Sequence, residues 1–383
     1  MLRAAPVILF LVLLMFVFAH TGLIHKLEPI VMDAQMRIEK APPESPVAIV
    51  SITDEEYRER SLFDNTSPLS RKTLQALIDA IAAGEPAVIG VDIDTSARQF
   101  KDEFTVRNWK PRMVWEREVR EMPENASADS KDKLEPMEVL GGQPDLDPSR
   151  NTLGLPLLID DGEDGVTRRY RRMIRTRSGE IESFPWAVVK AYRQAVPTES
   201  GDARESSEDR LIHFSGSPEA SHRMKFTASK VLELAKQWPA GSPVRDKIVL
   251  LGGSYLDQDR HDTPVGRMPG VEVMANVIET ELRPGGGQKA PGRAVVLVLE
   301  LFESFALVLL FHALRLRWAV LASLALVPVI SIICSLIAFG NWSQVARFAP
   351  ILVGLIVFEL YEHFRRGAVP GVYRELTGGE DHH

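Results

Sequence analysis

Apolar residues in this chain fall into three patterns, each predicting a different element. Short apolar runs at Val47 to Ile52, Ala87 to Ile93 and Ile248 to Leu251 read as strands buried on both faces of a parallel sheet. Between the first two, Leu74, Leu77, Ile78 and Ile81 recur at helical spacing, opened by Ser70-Arg-Lys-Thr and stopped by Gly84. Strand, helix, strand in that order implies a right-handed parallel unit. Ser183 to Tyr192 and Val271 to Leu282 read as further covering helices. The third pattern is long and uninterrupted: residues 4–24, 294–314, 318–339 and 348–364 approach the roughly 20 apolar residues that cross a bilayer. The expected fold class is α/β, a mostly parallel sheet with covering helices, joined to an α-helical membrane part of one amino-terminal and three carboxyl-terminal transmembrane helices.

Charge orients these spans. Arg3, Arg315, Arg317, Arg365 and Arg366 fall on one side if the spans alternate, which makes that side cytoplasmic. Residues 25–292 then form an extracytoplasmic domain of a multi-pass protein of the bacterial inner membrane, and 365–383 a cytoplasmic tail too short to fold alone. Cleavage of the first segment as a signal peptide, near Val17 and Ala19, is the alternative to a retained anchor. The 383 residues carry a net charge of -7 without a clustered basic patch, which excludes a nucleic-acid surface. Cys334, the only cysteine, lies in an apolar run, so neither a disulfide framework nor a thiolate metal site is expected. Residues 99–151 read as a long polar insert holding one strand, Met113 to Val119, that pairs at a sheet edge. The alternation in Val166 to Arg177 predicts an antiparallel strand whose wet face carries Arg168-Arg-Tyr-Arg-Arg172.

Five separated stretches carry a resemblance. They are Asp33-Ala-Gln-Met-Arg37, Ile49-Val-Ser-Ile-Thr-Asp54, Val88-Ile-Gly-Val-Asp-Ile-Asp94, Asp161-Gly-Glu-Asp-Gly-Val-Thr-Arg-Arg169 and Lys247 to Asn276. In this order, ahead of several apolar helices, they resemble the opening helix, first and second strands, turn, and final strand, loop and helix of the type-2 CHASE domain. That domain is the sensory extracellular domain associated with cyclases and histidine kinases. The resemblance covers about residues 33–282 and implies signal sensing. No kinase, cyclase or phosphodiesterase follows, so output is expected through a separate signalling or envelope protein partner, and a homodimer is the family-level expectation. The rival reading is a docking or scaffold subunit of an envelope complex, with the 99–151 insert as its contact surface.

Ligands of open parallel sheets sit outside the carboxyl ends of the strands. Asp54, Asp92, Asp94, Gly252, Gly253, Ser254 and Asp262 are expected there, with Arg71 as a partner for the carboxylates. These residues are the candidate ligand-binding set. Crowded carboxylates call for a cation, an arginine or a polar ligand, or else serve as helix caps and loop ties. No cofactor is expected, a divalent cation at the aspartates being the one alternative. A hydrolase using paired acids is the catalytic alternative. However, no Gly-x-Ser-x-Gly, His-Glu-x-x-His or phosphate-loop motif is present, so no enzymatic activity is expected. Glu300 and Glu303 lie within a predicted span and share one helix face. They either face other helices, as candidates for coupling across the membrane, or lie shifted toward the interface.

Overall fold

The structure, a computed structural model, describes residues 44–121, 134–142, 146–156, 158–161, 164–196, 207–214, 222–238, 241–256 and 259–283, with Asp33, Met36 and Arg37 ahead of them. The elements below all lie in one compact unit, Gln35–Lys289. The four predicted spans, with Glu300 and Glu303, lie outside the described residues. Among the described residues, no helix is long and apolar enough to cross a membrane.

The central sheet has six strands, β1 (Val47–Ile52), β2 (Val88–Asp92), β3 (Arg112–Glu116), β4 (Asn151–Gly154), β5 (Met224–Thr227) and β6 (Ile248–Gly253). They lie in the order β5-β1-β6-β2-β3-β4, and every neighbouring pair is parallel. The last strand in sequence therefore slots between the first two. Its residues Ile248 to Leu251 are fully buried, as a strand covered on both faces must be. Among the described residues, six α-helices accompany the sheet: α1 (Asp54–Arg58), α2 (Arg71–Ala83), α3 (Gln99–Glu103), α4 (Phe184–Ala195), α5 (Ala228–Leu234) and α6 (Gly270–Leu282).

Period-two alternation splits the core. Val50, Ile89, Trp115 and Leu251 point to one face and pack with Leu74, Leu77 and Ile81 of α2 and Val231 of α5. Ile49, Val88, Val114 and Leu250 point to the other and pack with Trp186 and Val188 of α4 and Val271, Met274 and Ile278 of α6. Gly90 in β2 permits the close approach of α4, because a Cβ there would meet Leu250 at 2.8 Å and Phe184 at 3.0 Å.

Helix α1 is held by more than burial. Thr53 and Glu56 form a capping box, each side chain taking the other's amide. Glu56 also accepts from the amides of Ala228 and Ser229 and from the Ser229 hydroxyl, so one carboxylate caps α1 and α5 together. Burial raises this carboxyl, but the Ser229, Thr53 and Ala228 donors outweigh it and hold it below the usual range.

Two expectations are corrected. The strand around Met113 is not at an edge, because β3 pairs with β2 on one side and β4 on the other. Met113, Val114 and Trp115 are buried, and that burial places them inside the sheet. The arginine-rich stretch does form an antiparallel strand, Val166–Tyr170, between Leu158–Asp161 and Arg210–Leu211, followed by a hairpin of Met173–Thr176 with Gly179–Glu182. Only part of the run is a wet face: Arg171 is exposed and Arg169 half-buried, but Arg168 is 1% exposed and Arg172 0%.

Counter-charges account for that burial. Arg172 forks onto Glu281 of α6, Nε to Oε1 at 2.8 Å and Nη2 to Oε2 at 2.6 Å, and its guanidinium lies 4.0 Å from the Trp186 ring centroid. The Tyr170 hydroxyl donates to the same Oε1 at 2.6 Å. Two residues before Glu281, Glu279 receives a fork from Arg223 with both bonds at 2.6 Å, joined by His222 and by Ser45. Arg168 forks onto Asp164. Removing one partner of a buried ion pair strands the other charge. Glu281→Ala should therefore cost about 3–5 kcal/mol, far more than a surface control such as Glu233→Ala, read as the midpoint of denaturant unfolding of the full chain.

Candidate functional site

Because the sheet is parallel, the ends of β1, β6, β2 and β3 open on one edge, where residues 52–54, 252–254, 92–94 and 116–118 converge. Gly252 is level with Asp92 in the β6–β2 ladder, and Val91 is level with Trp115 in the β2–β3 ladder. Asp92 and Glu116, one residue further on, therefore stand side by side on the face covered by α4 and α6. Glu116 is 8% exposed. A Cβ at Gly252 would meet Val271 of α6 at 2.7 Å and Asp92 Oδ2 at 3.3 Å, so α6 begins directly over this corner.

Burial governs the charge state of the pair. Desolvation pushes the Asp92 carboxyl up to about 6; a hydrogen bond with Glu116 opposes the rise, Asp259 adds to it, His261 opposes it and Glu118 adds to it. Glu116 is raised well above its ordinary value by desolvation and then by the Asp92 charge and hydrogen bond, with Glu118 and Asp259 contributing. Glu118 is itself raised by burial and by Asp94. Two acids side by side, both raised by burial, titrate as a unit rather than separately.

The rim of this corner is acidic and aromatic. Tyr255 stacks on Tyr57 with centroids 4.3 Å apart, and its hydroxyl is pushed up to about 12 by burial, then by Tyr57 and by the charges of Asp94, Asp259 and Glu116. Asp259 sits against the first residue of α6, where its main-chain oxygen accepts from the Gly270 amide at 2.9 Å, and its carboxylate faces His261 at 3.2 Å. A carboxylate at a helix amino terminus is favourably placed against the macrodipole.

The sequence-predicted residues divide by role. Asp92 is in the pair, and Asp94 is on its rim with its carboxylate accepting from the Ser96 amide. Asp54 accepts from the Leu256 amide at 2.8 Å and, with Ser254 hydrogen-bonded to the Ile52 carbonyl, ties the loop after β6 to the end of β1. Gly252 and Gly253 give space to Val271 and to the Tyr255 ring. The Asp262 main chain bridges to Val166 and accepts from the Thr167 amide at 2.7 Å. Arg71 does not serve these carboxylates; it pairs with Glu103 at 2.6 Å. Among the described residues, no three of His, Cys, Asp and Glu are grouped to hold a metal ion.

Sequence reasoning missed Glu116, Glu118 and Tyr255. The signal for Glu116 was present: it ends a buried run as Asp92 does, but the surrounding charge made the run look like an insert.

The architecture is that of an α/β domain with a parallel sheet and an acid pair at its strand ends. The chain matches the CHASE2 domain over residues 7–316, most of its length, and belongs to that family. The family is one of sensory domains of the extracellular type. No curated protein and no solved structure matches the chain.

A carboxyl raised in the folded state keeps a proton that the unfolded chain releases. Its contribution is therefore whole below the unfolded value, near 3.8 for Asp92, and is lost as pH climbs through about 6. Stability followed by denaturant midpoint from pH 4 to pH 7 should fall more steeply in the wild type than in Asp92→Asn, by roughly 1–3 kcal/mol over the window. Superimposable profiles would mean that the pair holds no extra proton.

Proposed function

We propose that this chain is a membrane-anchored extracytoplasmic sensor whose input is a change in the charge of the Asp92–Glu116 pair and whose output leaves through α6. Residues 4–24, 294–314, 318–339 and 348–364 are its membrane spans, in a bacterial inner membrane, and a separate effector protein receives the signal. The outward placement rests on the family and on the arginine flanks of the spans.

The observation that carries this reading is the course of α6. Its first turn, Gly270 and Val271, lies on Asp259, Gly252 and Asp92 at the acid corner. Its last turn carries Glu279 and Glu281, each clamped by a buried arginine. Along some 20 Å of helix at about 1.5 Å per residue, all but one of the residues from Gly270 to Glu281 are buried. A helix so enclosed moves as a body or not at all, and the chain that follows it runs into the apolar segment 294–314. Ionisation of Asp92 puts a negative charge beneath the start of this helix, beside that of Asp259; neutralisation, by a proton or by a cation taking its place, removes it.

Spin labels at Arg283 and within 294–314 of the full chain in nanodiscs test this directly. Their spectra should change between pH 5 and pH 7.5 in the wild type. In Asp92→Asn plus Glu116→Gln, whose pair is neutral at both pH values, they should be fixed. The same change in the double variant, or none in the wild type, would sink the proposal.

A further inference from the structure

Between β6 and α6 the chain makes a short antiparallel hairpin, in which Arg260 and His261 pair with Pro269 and Met268. Its base is the acid corner. Asp259, just before the first strand, accepts at its main-chain oxygen from the amide of Gly270, just after the second, and its charge acts on Asp92. The tip is closed on itself: the Thr263 hydroxyl donates to the Gly266 carbonyl, and the Gly266 amide donates back to the Thr263 carbonyl at 3.1 Å. Gly266 has a φ of +124°, where a side chain is strained, and Pro264 confines both its own φ and the residue before it.

Further contacts tie the hairpin to the rest of the domain. The Asp262 carbonyl accepts from the Thr167 amide at 2.7 Å, in the arginine-rich strand. At the tip Pro264 is buried, and its carbonyl accepts from Arg37 Nε at 2.7 Å. Arg37 is itself exposed, but Met36 beside it is 2% exposed, so this early stretch of chain is seated on the domain by an apolar side chain and a charged donor. It follows the apolar residues 4–24 and precedes β1. A charge-assisted hydrogen bond to a carbonyl held in one place is directional, so a shift of the tip is felt at Arg37.

We infer that this hairpin is a second outlet of the domain, carrying the charge state of the Asp92–Glu116 pair through Arg37 to the segment 4–24, alongside the route through α6. The inference rests on the reading of that pair as the input. When Asp92 ionises, its charge repels Asp259 at the base of the hairpin. Glu116 and Glu118 have the same sign when ionised, His261 on the first strand opposes them, and Arg260 and Arg267 are exposed on the hairpin. The push falls where Asp259 meets Gly270, the first residue of α6, so one cause displaces the helix and the hairpin together.

Spin labels at Ala34 and at Arg283, introduced one at a time into the full chain in nanodiscs in a Cys334→Ser background, follow the two routes separately. The quantity read is the difference between the spectra at pH 5 and pH 7.5, so a general loosening of either segment does not count. Both labels should respond. Arg37→Ala should reduce the response at Ala34 at least twofold and leave that at Arg283 intact, with an unchanged denaturation midpoint. Thr263→Val, which opens the tip and keeps Arg37, should do the same, and it decides the matter if Arg37→Ala does not fold. A response at Arg283 with none at Ala34 would overturn the second outlet and leave the first, whereas silence at both labels would overturn both. A response at Ala34 that survives Arg37→Ala, or that persists in Asp92→Asn plus Glu116→Gln, where His261 still titrates, would likewise overturn the inference.

Discussion

Helix α6 is buried on every side yet carries two carboxylates in its last turn, and that conflict sets much of the surrounding structure. A negative charge near a helix carboxyl terminus is doubly disfavoured, by desolvation and by the macrodipole. Glu281 is accommodated because Arg172 meets it as a bidentate fork with both groups fully buried, and because Tyr170 adds a third donor. Glu279 is accommodated by Arg223, His222 and Ser45; burial raises its carboxyl, but the Arg223 bonds and charge outweigh that and keep it low. Those partners come from separate parts of the chain, from Ser45 just before β1 to His222 and Arg223 just before β5. The two pairs thus fasten the antiparallel strands and the start of the central sheet to one helix.

The acid corner at the opposite end of α6 follows the contrary rule. Glu116 is buried as Glu279 is and Asp92 stands half-buried beside it, but the charges around them are mostly further acids, Glu118 and Asp259, with His261 opposing. Burial among further acids favours protonation, so the same physical cost is met at one end of the helix by ion pairing and at the other by a retained proton. An arginine pair is indifferent to pH across the physiological range, whereas a proton held near pH 6 is not. The helix is therefore anchored at one end and responsive at the other.

Much of this fold was legible in the chain. The β1 run matched Val47–Ile52 residue for residue, and β2, β6, α2, α4 and α6 fell within three residues of their expected bounds, because each is a strong apolar run or a clean helical stripe. Less legible were elements whose burial depends on distant partners. Met224-Lys-Phe-Thr227 shows only an alternating, half-buried pattern and becomes a strand by pairing with β1. Arg168 and Arg172 read as a solvated face, because the sequence does not show that Asp164 and Glu281 lie opposite them. The carboxylates divide similarly. Asp54 is a loop tie, as an isolated aspartate after a strand commonly is, while Asp92 matters because Glu116 stands beside it, and that neighbour follows from strand order, which a single sequence does not display.

The strand order also explains why the corner exists at all. The chain runs from β1 to β2, β3 and β4 in one direction, returns to the far edge for β5, and fills the gap between β1 and β2 last. At such a reversal the connections leave in opposite directions and a crevice opens at the carboxyl ends of the strands. The last strand brings Gly252, and with it α6, directly over the end of β2. A side chain at Gly252 would push α6 off Asp92, let water reach the pair and relieve the desolvation that keeps its proton. The glycine that permits helix packing is thus also what keeps the acids dry, and packing and charge state at this corner are two consequences of one close approach.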